Sequence, residues 1–220
     1  MTPWRLLVHG AASPAQNMAI DEALLREVTT PVLRLYQWNV PATSLGYFQA
    51  TALAPEGRPF VRRYTGGGLV DHAHDVTYTI VLPRAHPWLE LPVPESYGLI
   101  HRGVQATLAA HGIASDLTPV AHVGESDACF QKPVRFDLLS TGRKISGAAQ
   151  RRSREGLLHQ GSILLPDPAR NAGLREIFAQ AFSDRLNLVL EPSELTSPET
   201  ARAAVLEQER YATKAWNWMR

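Results

Sequence analysis

The stretch Arg62–Leu82, RRYTGGGLVDHAHDVTYTIVL, decides the fold. Three consecutive glycines, Gly66, Gly67 and Gly68, separate the strand-like run FVRRY from a second run in which apolar and polar residues alternate. Two strands joined by a glycine-rich connection predict a hairpin or near neighbours in a sheet. A glycine triplet also suits a backbone that approaches a ligand closely, and its N–H groups could bind a carbonyl or phosphate; the alternative is an ordinary turn.

On either side of this stretch the chain switches between helical and strand periodicity. Ser13 and Pro14 predict a helix start, and Ile20, Leu24 and Val28 then fall on one helical stripe. Strand-like runs occupy 32–38, 43–48, 60–64, 76–83, 136–141, 144–152 and 157–166, and helical patterns occupy 94–112, 168–182 and 198–213. Runs of strands with helices bunched at both ends predict an α+β fold.

Composition excludes several classes of protein. The 220 residues carry a net charge of +1, with 45% hydrophobic and 20% charged residues, which excludes a disordered chain and argues against a dedicated nucleic-acid binder. The single cysteine excludes an intrachain disulfide and a four-cysteine zinc site. No signal peptide or membrane span is visible, so we expect a cytoplasmic protein with one domain, 1–220, that does not act on a membrane.

A few side chains in these runs could carry chemistry. Arg62 and Arg63, directly before the glycines, could meet an anion. Lys144 opens a strand with small residues behind it; it is either a surface charge or a cation that points into a cleft. Cys129 is either a small buried hydrophobe or a nucleophile, and the latter needs partial exposure and a lowered pKa.

The histidines are further candidates for base or ligand roles. His72 and His74 follow the glycine triplet, His159 lies in the last strand-like run, and His122 precedes the cysteine. No HExxH or similar signature is present, so we expect no metal site, and a structural role is the default for each histidine.

Four ordered blocks together resemble one superfamily. NMAIDEALL at 17–25, the Arg62–Leu82 stretch, GRKISGAAQRR at 142–152 and LHQGSILL at 158–165 are similar to those of the lipoate–protein ligase, octanoyltransferase and biotin ligase superfamily. The resemblance extends more weakly to the tail ERYATKAWNWMR. It implies an α+β catalytic domain of the biotin/lipoate ligase type, with a mixed, largely antiparallel sheet flanked by helices.

One branch of this superfamily fits better than the others. ACFQKP at 128–133, with Cys129 fifteen residues before Lys144, resembles the cysteine-dependent octanoyltransferases of the LipM type. The resemblance implies that Cys129 is the nucleophile, that Lys144 contacts the acyl carbonyl and that the glycine block lines the acyl site. The substrate-binding residues it implies are Arg62, Arg63, Gly66, Gly67, Gly68, His72, Ser146, Gly147, His159 and Gly161.

This branch implies transfer of an octanoyl or lipoyl group from acyl carrier protein to a lysine of a lipoyl domain or of the glycine-cleavage H protein, without a cofactor. Two alternatives stay open. One is an ATP- and Mg²⁺-dependent lipoate–protein ligase that forms a lipoyl-adenylate, although the expected Asn–Asp pair is Ser126–Asp127 here and no C-terminal accessory domain is expected. The other is a non-catalytic relative that binds acyl groups or lipoyl domains.

The basic residues around Lys144 bear on the protein partners. Five cations crowd twelve residues before the first acid, Glu155, and a basic rim would steer acidic carrier proteins. The alternative is a solvated strand edge protected by charge. The five residues are Arg143, Lys144, Arg151, Arg152 and Arg154.

Overall fold

The computed structural model describes residues 3–119 and 133–220. The strands are β1 (Trp4–Ala12), β2 (Val32–Trp38), β3 (Thr43–Leu45), β4 (Phe60–Arg62), β5 (Val70–Asp71), β6 (Asp75–Pro83), β7 (Asp116–Leu117), β8 (Leu138–Ser140), β9 (Arg143–Arg152), β10 (Gly156–Leu164) and β11 (Leu190–Pro192). The helices are α1 (Pro14–Glu27), α2 (Val93–Ala110), α3 (Asn171–Leu186), α4 (Ser197–Leu206) and α5 (Lys214–Asn217).

Eight of these strands form one large sheet in the order β11-β1-β2-β6-β10-β9-β8-β7. The pairs β11–β1 and β1–β2 are parallel, and the other five pairs are antiparallel. The α+β class with a mixed, largely antiparallel sheet is therefore confirmed. The sequence pattern did not predict β1, because WRLLVHGAA lacks alternation and is buried irregularly along its length.

Helices cover both faces of the large sheet. Helix α1 starts as predicted: the Ser13 Oγ accepts a hydrogen bond from the Gln16 N–H at 3.1 Å. Ile20 and Leu24 of α1 and Ala203 of α4 pack against one face of the sheet. Helices α2 and α3 cover the opposite face, with Ile100, Val104, Leu108, Leu174, Phe178 and Phe182 buried against β2, β6 and β10.

A second, three-stranded sheet has the order β4-β3-β5. The predicted pairing of FVRRY with VTYTIVLP is wrong, because β4 pairs in parallel with β3 while β6 lies in the large sheet between β2 and β10. Each residue of β4 pairs with one seventeen positions earlier in the chain, and local pattern carries no signal for such a pairing. The glycine triplet connects β4 and β5 within the small sheet, and residues 72–74 then lead to β6 in the large sheet.

The C-terminal segment closes the outer edge of β4. The Asn217 Oδ1 accepts a bond from the Arg62 N–H at 2.8 Å, and the Trp216 indole donates to the Arg62 carbonyl at 2.9 Å. These side chains take the place of a neighbouring strand, so the backbone N–H and carbonyl of Arg62 at this sheet edge are both hydrogen-bonded. None of the helices within 3–119 and 133–220 has the length and apolar character needed to cross a bilayer.

Candidate active site

A cavity of about 370 Å³, including its open mouth, lies between the two sheets. The small sheet and its loop contribute Ser44, Arg63, Val70 and His72, and the rest of the lining is Met18, Tyr36, Trp38, Thr77, Gly147, Ala148, Ala149, Gln160, Gly161 and Ser162. Most of these side chains are apolar or small, so the cavity suits an aliphatic group.

The glycine triplet packs closely against the cavity wall. Gly67 has φ +83°, and a Cβ at Gly46 would lie 1.9 Å from the Gly67 carbonyl oxygen, so both positions require glycine. Arg63 holds the triplet in place, since its guanidinium donates to the carbonyls of Gly66 and Gly68, each at 2.9 Å. Arg63 thus lines the cavity and binds loop carbonyls there, whereas the three glycines are not among the lining residues, and their contact with substrate stays a prediction.

The two predicted arginines lie in different surroundings. Arg62 is fully buried, and its guanidinium donates to the carbonyls of Gly46, Gln49 and Asn217 at 2.6–3.1 Å and to the Thr51 hydroxyl. These bonds join the β3–β4 region to the C-terminal segment, which is a structural role. A substrate contact for Arg62 stays a prediction.

His72 belongs to a buried polar chain at the cavity. Its Nε2 lies 2.6 Å from the Ser44 Oγ, and its Nδ1 lies 2.8 Å from the Asp75 Oδ2. Burial alone would raise the pKa of Asp75, but the contacts with His72, Ser162 and Thr77 outweigh it and lower the pKa below the ordinary value. The His72 ring also stacks on Trp38 at 4.0 Å, so its orientation is fixed on every side.

Lys144 is buried against a carboxylate that the sequence did not single out. Its Nζ lies 2.6 Å from the Asp137 Oδ2, with 2% of the lysine side chain exposed and none of the aspartate. A Cβ at Gly147 would lie 2.4 Å from the Lys144 Cε, so the lysine side chain covers Gly147, and Gly147 lines the cavity. The structure therefore brings the predicted catalytic lysine to the cavity wall.

A β-bulge sets the position of Lys144 in its strand. Leu138 of β8 pairs with Ser146, but Leu139 pairs with Lys144, so Ile145 is an extra residue on β9. Ile145 packs into the core cluster that contains residues of α2, and Lys144 reaches Asp137, which bonds α2. The bulge thus lets two consecutive residues both be buried.

Tyr97 of α2 completes this cluster. Its hydroxyl lies 2.5 Å from the Asp137 Oδ1 and accepts a bond from the Ala148 N–H at 2.9 Å. Strand β8 pairs with β9 only as far as Ser146, so the Tyr97 hydroxyl takes the place of a strand partner at Ala148. Burial and the neighbouring carboxylate raise the pKa of Tyr97 well above its ordinary value, which keeps the hydroxyl protonated.

His159 is fully buried on β10, away from the cavity lining. Its Nε2 lies 3.2 Å from the Tyr78 hydroxyl and its Nδ1 lies 3.1 Å from the Gln150 amide. Burial, helped by the nearby His101, lowers the pKa of His159 well below the ordinary value, so the ring is neutral near pH 7. This matches the default structural role, and direct substrate binding by His159 stays a prediction.

The remaining predicted residues divide between the cavity and its surroundings. Gly161 lines the cavity, and a Cβ there would overlap the Tyr78 ring at 2.1 Å. Ser146 is buried beside the bulge, and its hydroxyl has no hydrogen-bond partner in the described chain. Gly68 contacts Arg63 through its carbonyl. Cys129 and His122 lie outside the described residues.

The basic stretch does not form one surface. The Arg151 guanidinium stacks on Tyr64 at 3.6 Å, whereas Arg152 donates to the Leu89 carbonyl and the Ser96 hydroxyl near α2. Arg143 and Arg154 are exposed. A single basic rim is therefore wrong as an account of these residues, because neighbouring positions on a strand face opposite sides.

A buried network of polar side chains under the cavity was not predicted from the sequence. Gln160 accepts a bond from the Thr65 hydroxyl at 2.7 Å and donates to Asp21 at 2.7 Å, and Asp21 pairs with the buried Arg34 at 2.6 Å. The sequence does contain an indication of this network, because Asp21 interrupts the apolar side of α1. Within residues 3–119 and 133–220, no three histidine, cysteine, aspartate or glutamate side chains cluster as metal ligands would.

The chain belongs to the lipoyl protein ligase A/B catalytic domain family, whose pattern matches residues 13–181. Among curated relatives, the octanoyltransferase LipM of Kyrpidia tusciae is 33% identical and that of Bacillus subtilis 31%, with 98% or more of each chain covered. These full-length similarities support an acyltransferase enzyme, with a lipoate ligase as the second reading.

Solved structures agree in fold. A crystal structure of a lipoate-protein ligase A bound with ATP superposes with a TM-score of 0.82 at 21% identity, covering 99% of both chains. A lipoate protein ligase from Thermoplasma acidophilum with bound lipoic acid gives 0.81 at 20% identity, covering 100% of both. At these identities the likeness concerns the fold alone.

Proposed function

We propose that this protein is an octanoyltransferase that carries the acyl group on Cys129. The observation that carries the proposal is the full-length similarity to LipM octanoyltransferases, combined with an apolar cavity whose wall is reached by the buried Lys144. The cavity receives the aliphatic chain, and the acyl carbonyl lies towards the lysine.

The reaction proceeds in two transfers. The Cys129 thiolate attacks the thioester carbonyl of octanoyl–acyl carrier protein, and the carrier thiol leaves; one thioester replaces another, so no ATP is consumed. The lysine amine of the acceptor then attacks the acyl-enzyme, loses a proton and expels the Cys129 thiolate. The second step converts a thioester into a more stable amide, which drives the transfer.

Lys144 stabilises the negative charge that develops on the carbonyl oxygen in both steps. A buried ammonium in a dry site acts more strongly than one in water, because the local dielectric constant is low. In this proposal the enzyme uses no metal or nucleotide cofactor and works in the cytoplasm. Its donor is octanoyl–acyl carrier protein, and its acceptor is a lipoyl domain or the glycine-cleavage H protein; one neighbour in fold is described as a ligase with its E2 lipoyl domain.

Intact-mass measurement after mixing with octanoyl–acyl carrier protein, without ATP, tests the proposal. We expect one octanoyl adduct, and the single cysteine of the chain makes its position unambiguous. Cys129→Ala abolishes the adduct, and Lys144→Ala slows transfer by roughly 10²–10³-fold, the typical effect of removing one oxyanion donor. Lys214→Ala, which removes an exposed lysine, is the matched control and keeps the wild-type rate.

The same assay separates the alternatives. An absent adduct, together with acceptor modification that appears only after octanoate or lipoate and ATP are added, contradicts the transferase and supports the ligase. Binding of an acyl group or a lipoyl domain without any turnover supports the non-catalytic relative. Cys129→Ala that transfers octanoyl at nearly the wild-type rate also contradicts the proposed mechanism.

A further inference from the structure

The Asp137 carboxylate divides its two oxygens between different partners. Oδ2 bonds the Lys144 ammonium at 2.6 Å and also accepts from the Val134 N–H at 2.7 Å, whereas Oδ1 faces the Tyr97 hydroxyl at 2.5 Å. The Asp137 carbonyl accepts from Thr118 at 2.8 Å. The carboxylate is therefore fixed from several directions, and it fixes the ammonium in turn.

The Tyr97 hydroxyl connects this pair to the cavity wall. It accepts from the N–H of Ala148, which lines the cavity, and its ring stacks on His101 one turn along α2 at 4.2 Å. A shift of Tyr97 would change both the Asp137 carboxylate and the backbone beside Gly147. The Tyr97 hydroxyl thus links the Asp137 carboxylate, and through it the Lys144 ammonium, to the cavity wall.

We propose that Asp137 and Tyr97 are positioning residues for the transfer reaction: Asp137 holds the Lys144 ammonium in place, and Tyr97 acts through Asp137. This inference rests on the function proposed above. A buried ion pair seldom stabilises a fold more than apolar residues of the same size would, so stability alone does not account for it. A buried lysine without a counter-charge tends to lose its proton, and a neutral amine cannot stabilise an oxyanion.

The other titratable groups of this cluster carry no charge that would compete with the Lys144–Asp137 ion pair. The Tyr97 hydroxyl bonds Asp137, the Tyr97 ring contacts the rings of His101 and His159, and the His159 ring contacts that of Tyr78 on β6. Burial lowers the pKa of His101 to about 4 and that of His159 well below the ordinary value, and burial holds the pKa of Tyr78 far above it. All four groups are therefore neutral near pH 7.

Lysine-selective ¹⁵N labelling tests the inference independently of activity, since the chain has only three lysines, Lys132, Lys144 and Lys214. The Nζ signal of Lys144 is identified by its loss in Lys144→Arg and recorded at pH 7. We expect Asp137→Asn to shift this signal and to broaden it through faster proton exchange with solvent, because the carboxylate no longer holds the ammonium. Tyr97→Phe, which removes one oxygen atom, moves the signal by a smaller amount.

Transfer kinetics supply the second readout. We expect Asp137→Asn to reduce kcat roughly tenfold or more with KM nearly unchanged, a typical loss for a bond between charged groups. Asp137→Glu recovers part of the rate, and Tyr97→Phe adds no further loss in the Asp137→Asn background. Tyr211→Phe is the matched control, since it removes another buried hydroxyl that bonds a carboxylate, Glu22 at 2.6 Å, and it leaves the Lys144 signal and kcat unchanged.

An unchanged Lys144 Nζ signal in folded Asp137→Asn overturns the inference, whether or not transfer is detected. Additive losses in the double variant overturn the role assigned to Tyr97. If Asp137→Asn does not fold, Tyr97→Phe alone decides: an unshifted signal with a normal rate overturns the inference. If the signal shifts but no variant or wild type transfers octanoyl, the function fails while the positioning of Lys144 stands.

Discussion

Gly147 shows how a missing side chain can determine the position of a catalytic candidate. The space beside its Cα is filled by the Lys144 side chain, whose Cε and Nζ would lie 2.4 and 2.6 Å from a Cβ at that position. Contacts this short force the lysine to move. The GRKISGAAQ block has a glycine at position 147 because the Lys144 side chain occupies the space that a Cβ would fill. The backbone does not need a positive φ there.

Gly147→Ala should displace the Lys144 ammonium and lower octanoyl transfer by about tenfold or more, because small misplacements of a charged group near the reacting atoms are costly. Transfer rate and melting temperature are measured together. Gly10→Ala is the control, since a Cβ at Gly10 has no atom within 4 Å. A Gly147→Ala enzyme with normal kcat would show that the lysine adapts without loss.

The sequence identified Lys144 and its glycine, but it could not identify their partners. Asp137 lies in the strand-like run FDLLST, where a lone acid is ordinarily on the solvent side, and Tyr97 lies in a helix where an aromatic residue is ordinarily core. Their roles depend on pairing across β8, β9 and α2. Such contacts are set by tertiary packing, which local periodicity does not encode.

At the scale of elements, helix α4 is attached to strand β1 by one ion pair. Arg5 donates two bonds to the Glu199 carboxylate at 2.5 and 2.9 Å, and Glu199 also closes the capping box with Thr196. Burial alone would raise the pKa of Glu199, but the bonds from Arg5 outweigh it and lower the pKa below 4.5. The pair therefore favours the folded state when the carboxylate is ionised.

Glu199→Gln should lower the free energy of unfolding by about 1–3 kcal/mol at pH 7, while glutamine keeps the capping-box acceptor. A carboxyl whose pKa is lower in the folded state stabilises it above the unfolded pKa, and this stabilisation is lost as pH falls through the folded value. The wild-type and variant melting curves should thus converge below about pH 4. A difference that stays constant down to pH 3 would contradict this account.

Elements with strong local signals were predicted well, and those without were not. Ser13 and Pro14 predicted the start of α1, and the alternation at 76–83 predicted β6 to within one residue. Strands β1, β5, β7 and β11 were missed: β5 and β7 have two residues each, and the three-residue β11 gains its order from pairing with β1. Short strands of this kind exist only because a longer neighbour is already present.

At the scale of the whole molecule, the cavity lies where the two sheets meet. Its wall includes Ser44 and Val70 from the small sheet and Thr77 and Ser162 from the large one. Residues 72–74 link β5 of the small sheet to β6 of the large one, and the Asn217–Arg62 contact joins the small sheet to the C-terminal segment. An acyl ligand in the cavity would contact both sheets at once.

Saturation with a short-chain fatty acid should therefore slow amide hydrogen exchange in β3 and β9 together. At about 100 times the dissociation constant, ligand binding adds roughly 2.7 kcal/mol to the stability of the folded state. Octanoate is the probe, and acetate, which carries a carboxylate without the aliphatic chain, is the control. Protection confined to one sheet would contradict a ligand site between them.

The bulge at Ile145 fixes the register in which β8 and β9 pair. Thr141 and Gly142, with φ of 48° and 76°, form the two-residue turn; Lys144 then pairs with Leu139, and the extra residue Ile145 follows it, so that Ser146 pairs with Leu138. Because side chains alternate along a strand, one residue inserted or deleted between the turn and Gly147 would shift every later side chain to the opposite face. The number of residues between the turn and Gly147 is therefore fixed by the fold.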